Sequence, residues 1–399
     1  MGAVSAAGIG VDALWTAART GHSAVDKFQL PRDGKTTIKI AAQVKDFDPA
    51  RYMSATQINL TDRFTQFAIV AADEAMQQAG FSKDSRLENL RLGDRAATII
   101  GTGIGGYTSL DNMMFNFLVS NERLHPMTIP RVMSNAAASH LSMRYGCQGP
   151  AFAVSSACSS ANQAIGIGAQ LVQSGIVDIA IVGGSEASIA TTYLRAWELL
   201  RVLTPDFCRP FSGGRNGMTI GEGAGVLVLE NAETAEARGA TPLAEIAGFG
   251  TSSDANDLVR PDPHGAAAAM RKAIEGSGLS PDAIDYVNAH GTGTIMNDIV
   301  ESEALKTILG PRLKDVPVSS TKPIHGHAIG ASAALELIIT INAMREGIVP
   351  PTINWLEPDP KCDLDPVPNE ARKQPIRTAM SNSFAFGGIN AAIVVTQPS

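Results

Sequence analysis

The sequence predicts an α/β layered protein, on three observations. Short β-rich apolar runs recur along the chain, several flanked by glycine: Ala96 to Ile100, Ile179 to Val182, Gly225 to Leu229 and Ala391 to Val395. Between them lie amphipathic stretches such as Phe64 to Phe81, where Phe64, Phe67, Ala68, Ala71, Ala75 and Ala79 keep roughly helical spacing. The composition, 44% hydrophobic with 38 glycines and few aromatics, suits a compact enzyme core of alternating strands and helices.

At 399 residues the chain exceeds one small core and predicts two or three domain-sized units. The charged, alanine-rich segment Asn231 to Gly239 lies between two strand signals and divides the chain into halves at 1–235 and 236–399. Each half has a helix start built from small residues. One is Ser155 to Asn162 and the other His325 to Ala334, which hints at an internal duplication. The stretch from Pro350 to Pro368 reads as an ordered surface loop of polyproline character.

Lys and Arg total 32 against 39 Asp and Glu, so the net charge of -7 gives no overall attraction to nucleic acid or anionic lipid. The four cysteines, Cys147, Cys158, Cys208 and Cys362, show no paired spacing and are too few to staple the chain, which predicts a reduced, cytoplasmic setting. No stretch approaches the 18 uninterrupted apolar residues of a membrane span, and no secretory leader pattern is present.

Four segments carry chemistry. Cys158 follows the strand-like Phe152 to Val154 and opens a helix-compatible run, where the helix dipole lowers a thiol pKa; a buried inert cysteine is the plain alternative. His290 stands in Asn288-Ala289-His290-Gly291-Thr292-Gly293-Thr294, at a strand end, where α/β proteins bind ligands. Lys322, His325 and His327 precede an alanine-rich helix that carries Glu336. Two histidines two apart also fit a metal, but no HExxH pattern or cysteine pair supplies more ligands, so no metal is expected. Phe384 to Asn390 sets two aromatics against Gly387 and Gly388, so Phe386 reads as a lid or a backbone N–H donor; a turn with core phenylalanines reads equally well. Gly101 to Gly106 satisfies GxGxxG, but without the acidic residue about 20 positions on it is discounted as a phosphate loop.

Taken in order, these segments resemble the elongating β-ketoacyl-acyl-carrier-protein synthases along the whole chain, with Arg209-Pro210-Phe211 and Gly221-Glu222-Gly223-Ala224-Gly225 as a further match. The resemblance implies a thiolase-like fold, two pseudo-symmetric halves in five αβαβα layers, and a homodimer. It implies that Cys158 carries the acyl thioester, with the backbone N–H groups of Cys158 and Phe386 as oxyanion hole, and that His290 and His327 hold the malonyl thioester oxygen during decarboxylation. Lys322 would pair with Glu336. Asp298 and Glu301 fill acidic positions after the first histidine, Thr292 and Thr294 would contact phosphopantetheine, and Ile104 would line the acyl tunnel. No resident cofactor is implied, because phosphopantetheine arrives on an acyl carrier protein.

His327, in place of asparagine, favours the elongating type, and Glu357 to Asp365 most resembles the nodulation protein E group. The departures are specific. Relatives carry a strand before Met1 to Val4, which implies a missing central strand in the first half. The neutral Thr56 to Leu60 replaces basic carrier-docking residues, leaving Arg123 and Arg201; Ile389 replaces a threonine and Ser212 an aspartate near the acyl gate. Rival readings are a ketosynthase of a specialised lipid or polyketide pathway with a dedicated carrier, a non-catalytic chain-length-factor-like partner, a cysteine hydrolase, and a thiolase using Cys362.

Overall fold

In the computed structural model, which describes residues 1–30, 36–81 and 91–398, the apolar runs form two mixed sheets. The first contains β1 (Gly2–Ser5), β2 (Gly8–Ile9), β3 (Ala96–Gly101), β4 (Ala151–Val154), β5 (Ile179–Glu186) and β6 (Gly223–Glu230), in the order β2-β1-β6-β5-β3-β4. The second contains β7 (Glu245–Ser253), β8 (Tyr286–Asn288), β9 (Val318–Ser319), β10 (Thr378–Ala385) and β11 (Ile389–Thr396), in the order β9-β8-β10-β11-β7.

The duplication hinted at by the two helix starts is explicit in these sheets. In the first, β4, β3 and β5 run parallel, and β6 and β1 follow antiparallel. In the second, β9, β8 and β10 run parallel, and β11 and β7 follow antiparallel. Each of the five strands of the second sheet therefore has a counterpart at the same place in chain order, and among the described residues only the two-residue β2 of the first sheet has none. The counterpart of β7 is β1, so the first half lacks no strand: the expected gap is filled by Gly2–Ser5, fully buried and paired along its length with β6. The proposed division at 235/236 falls within the short helix Ala232–Ala237, which lies between the last strand of one sheet and the first of the other.

Helix α1 (Arg63–Gln78) is capped by the Asp62 carboxylate, which accepts the Phe64 N–H. Its buried face, including Phe64, Phe67, Ala68, Ala71 and Ala75, lies on β1, β5 and β6. Helices α2 (Ser160–Gln173) and α5 (Ser332–Glu346) form a middle layer between the sheets. Helix α3 (Pro263–Ser277) covers β7 and β11, with α4 (Ile295–Leu309) beside it, completing five layers. The middle layer explains the alanine- and glycine-rich helix starts. A side chain at Gly166 of α2 would stand 2.3 Å from the Phe249 ring of the second sheet, so only glycine permits that approach. Nearby, Asn162 Nδ2 donates across the layers to the Ser381 carbonyl and Ser383 Oγ, each at 3.3 Å.

The segment from Pro350 to Pro368 departs from the predicted surface loop. Thr352, Ile353, Cys362 and Val367 are packed inward, while Leu356 to Pro358 and Pro368 are exposed. Thr352 Oγ1 accepts the Ser320 N–H at 2.9 Å, anchoring the loop beneath the Lys322 segment. No helix among the described residues is long and apolar enough to cross a membrane.

Candidate active site

The chemistry-bearing residues leave the ends of the parallel strands on both sheets, the usual ligand face of α/β proteins. Cys158 follows β4 in a 3-10 turn, Ala157–Ser159, that runs into α2. Ala157 is held at φ 49°, a left-handed conformation that costs a non-glycine residue energy and persists only where neighbours enforce it. The serines of the motif supply that enforcement. Ser160 Oγ donates to the Ala157 carbonyl at 2.7 Å and accepts the Ser156 N–H at 2.9 Å, while Ser159 Oγ bonds the Ser156 carbonyl at 2.9 Å.

Cys158 is 6% exposed and its Sγ lies 3.1 Å from His327 Nε2. The expected lowering of its pKa does not occur. Burial dominates and pushes the thiol up to about 12, with the Lys322 charge opposing and Glu186 reinforcing. The position at the head of α2 is as predicted, but desolvation outweighs the dipole, so the resting group is a thiol.

His290 and His327 stand edge to face, ring centres 5.4 Å apart, and Phe384 packs on the His290 ring at 5.9 Å. Burial and the nearby Lys322 charge hold both histidines well below the ordinary imidazole range, so both are neutral. Glu301 fixes the first one from below: its two oxygens accept the N–H groups of His290 (2.9 Å) and Gly291 (2.8 Å). Asp298 accepts the N–H groups of Phe211 (2.8 Å) and Gly293 (3.2 Å), tying the Arg209-Pro210-Phe211 segment to the histidine loop. The two acidic residues therefore organise backbone. His290 Nδ1 has no hydrogen-bond partner among the described residues.

Lys322 Nζ contacts Glu336 Oε1 at 2.5 Å, the side chains 1% and 0% exposed. Burial pushes the Glu336 carboxyl up to about 7, with Lys322 pulling the other way. The two histidines of the Lys322 segment part company. His325 Nε2 bonds Thr321 Oγ1 at 3.0 Å, whereas His327 turns to the cysteine.

A cavity of about 590 Å³ opens above Cys158, His290 and His327. Thr292 and Thr294 line it, their hydroxyls 2.8 Å apart, and Arg201, Arg260, Ile295 and Met296 lie toward its mouth. Phe386 forms part of the wall and stacks on Trp197, ring centres 5.7 Å apart and planes 23° apart. Its loop is latched outward: Gly387 N–H donates to the Leu258 carbonyl at 2.7 Å, and Asn390 Nδ2 to Asp254 Oδ1 at 2.7 Å. Ile104 is not part of this cavity; it sits in the Gly101 to Gly106 turn, where Gly103 N–H is taken by Glu186 Oε2 at 2.6 Å and Gly105 N–H by Thr102 Oγ1 at 3.0 Å. Ser212 is likewise away from the lid, its Oγ accepting the Leu356 N–H at 3.0 Å. Arg123 lines a second, smaller cavity with Arg131 and Phe117.

Residues 1–235 match the β-ketoacyl synthase N-terminal domain and residues 243–356 the C-terminal domain of the same family. The chain is a β-ketoacyl synthase. It is 44% identical over 393 residues to nodulation protein E of Rhizobium sp. (strain N33), covering 98% of this chain and 96% of that one. It is 38% identical over 403 residues to 3-oxoacyl-[acyl-carrier-protein] synthase 2 of Staphylococcus aureus (strain COL), covering 99% and 96%. Among solved structures, the ishigamide ketosynthase/chain length factor superposes with TM-score 0.94 at 33% identity, covering 100% of this chain and 98% of that one. A β-ketoacyl synthase from Burkholderia phymatum STM815 gives TM-score 0.90 at 30% identity over the same shares.

Within this synthase, Cys158, His290 and His327 form the one Cys/His/acid grouping among the described residues with metal-ligand spacing, their donor atoms within 4.8 Å of one another. His325, the other half of the candidate ligand pair, is not in it. Within the grouping, His327 Nε2 lies 3.1 Å from Cys158 Sγ. Sequence reasoning missed Ser332, Glu186, Trp197 and the Asp254 latch. Ser332 is one serine in an alanine-rich run, and Trp197 and Asp254 are each more than 130 residues from the lid they hold; only the fold makes these neighbours.

Proposed function

We propose that this synthase elongates acyl chains by decarboxylating condensation, with the labour divided between one cysteine and two histidines. The carrying observation is His327 Nε2 at 3.1 Å from Cys158 Sγ, with the His290 ring edge-on beside it in one cavity. In the first half-reaction the Cys158 sulfur attacks an acyl thioester and the carrier thiol departs with the proton, leaving acyl-Cys158. Backbone N–H groups of Cys158 and Phe386 face the developing oxyanion. In the second, malonyl thioester on the carrier loses carbon dioxide, and the released electron pair forms an enolate whose oxygen accepts hydrogen bonds from neutral His290 and His327. The enolate carbon attacks the acyl carbonyl, the Cys158 sulfur leaves and is reprotonated, and the product is a 3-oxoacyl carrier two carbons longer. Neutral imidazoles suit this role, because one pre-aimed donor contributes about 2.7–4 kcal/mol to an oxyanion. Burial, reinforced by the Lys322 charge, keeps the histidines neutral, and Glu336 pairs with that lysine. Thr292 and Thr294 would bind the phosphopantetheine arm, so no resident cofactor is needed, and Ile104 would bound the acyl end beyond Cys158.

An acyl carrier protein is the proposed partner; a solved ketosynthase neighbour, 30% identical, is in complex with its acyl-carrier protein. A homodimer is supported by the edge strand β4, with Phe152 exposed, and by the exposed Leu118, Val119 and Ile129. Four free cysteines support a cytoplasmic setting. A specialised lipid or polyketide pathway with its own carrier is favoured by the nodulation protein E relatives and by the neutral helix Ala55–Leu60. The intact Cys158 argues against a non-catalytic partner. The test is product formation from acyl and malonyl carriers, followed by mass spectrometry. The expected result is a 3-oxoacyl carrier with the wild type and none with Cys158→Ala; peptide or ester hydrolysis without condensation would overturn the proposal.

A further inference from the structure

We propose that Ser332 is a positioning residue that fixes His327 as the Nε2–H tautomer, so that the proton His327 offers points at Cys158 and the incoming thioester oxygen. The inference rests on the condensation reading for its consequence, though not for its geometry. Ser332 is fully buried at the start of α5, and its Oγ lies 2.8 Å from His327 Nδ1. Among the described residues that nitrogen is its one hydrogen-bond partner at the side chain.

The counterpart in the other half behaves differently. Ser160 opens α2 as Ser332 opens α5, following a 3-10 turn with a left-handed residue, Ala157 in one half and Ile329 (φ 41°) in the other. Ser160 spends its hydroxyl hydrogen on backbone carbonyls, those of Ala157 at 2.7 Å and Thr102 at 3.3 Å. No carbonyl takes the Ser332 hydrogen, and a buried hydroxyl donates to something. If His327 Nδ1 carried the proton, two donors would face each other and Ser332 would have no acceptor. With Oγ–H donating to Nδ1, every group is satisfied and the ring hydrogen sits on Nε2, 3.1 Å from the Cys158 sulfur. A ring nitrogen fixed by its other nitrogen's partner is a general way of choosing which end of an imidazole reacts. Burial and the Lys322 charge depress the basicity of His327, which favours the one-proton ring.

The experiment is nitrogen-15 NMR of the full-length protein labelled at histidine, with His327 assigned by comparison with His327→Asn, alongside separate rates of Cys158 acylation and carbon dioxide release. The wild type should show His327 protonated at Nε2. Ser332→Ala should lose that preference and slow carbon dioxide release about ten-fold, the scale at which an orienting partner acts, with acylation less affected; Ser332→Thr, which keeps the hydroxyl, should restore the tautomer. A wild-type signal from the Nδ1–H form, or Ser332→Ala retaining pure Nε2–H, would overturn the inference. A wild type with the Nε2–H form that neither acylates Cys158 nor releases carbon dioxide would uphold the clamp and sink the condensation reading.

Discussion

Replacing Lys322 with methionine tests the electrostatic base of the site. Lys322 and Glu336 touch at 2.5 Å with essentially no solvent contact, and Glu336 Oε2 has no other partner among the described residues. Removing one member of such a pair strands a buried charge and costs about 3–5 kcal/mol, a large part of the roughly 5–15 kcal/mol that holds a protein folded. The cost depends on pH in a fixed direction. Glu336 already sits near 7 in the folded chain, above its ordinary 4.5, and losing Lys322 raises it further. The penalty is therefore absent below about pH 4.5, where the carboxyl is protonated folded or unfolded, and grows as pH rises toward the folded value. Lys322→Met paired with Glu336→Leu removes both charges and should recover most of the loss, since buried pairs replaced by apolar side chains are often neutral. Urea unfolding of the wild type, both single variants and the double variant at pH 5 and pH 8 gives the coupling directly. A double variant as unstable as the sum of the singles would refute the pair.

Three further outcomes follow from neighbouring groups. Glu186 is fully buried with its carboxyl raised to about 7, so it withdraws about 3 kcal/mol of stability as pH rises from 4.5 through 7; Glu186→Gln can accept the same N–H groups and should flatten that part of the stability profile, and an unchanged profile would exclude it as the source. Carbon dioxide release should show no histidine limb near pH 6.5, because both imidazoles are held neutral; a limb there that disappears in His290→Asn would mean an imidazolium takes part. Trp197→Leu removes a stack on Phe386 of about 0.5–1.5 kcal/mol and should speed amide exchange at Gly387 and Gly388 several-fold, whereas unchanged exchange would separate the lid from the indole.

The sequence carried the layered class, the strand runs and the residues that meet around Cys158, because each lies in a short segment with its own local pattern. It hid what depends on neighbours distant in the chain. Cys158 has the helix-start pattern of an activated thiol, yet α2 lies between two sheets, and that burial raises the pKa instead of lowering it. Gly2–Ser5 is too short to signal a strand alone, and its place is set by pairing with β6, more than 200 residues away. The loop from Pro350 had the composition of surface, but Thr352 is drawn inward by Ser320. Ser332 looked like one more small residue among alanines until the fold set its hydroxyl against His327.

The central claim is the division between acyl holding and malonyl decarboxylation, and the measurement that tests it most directly scores both half-reactions in His290→Ala and His327→Ala. The account predicts that acyl transfer to Cys158, read by mass, is largely spared. Carbon dioxide release from malonyl carrier should fall about 10²–10³-fold. Equal loss of the two half-reactions in both variants would contradict it.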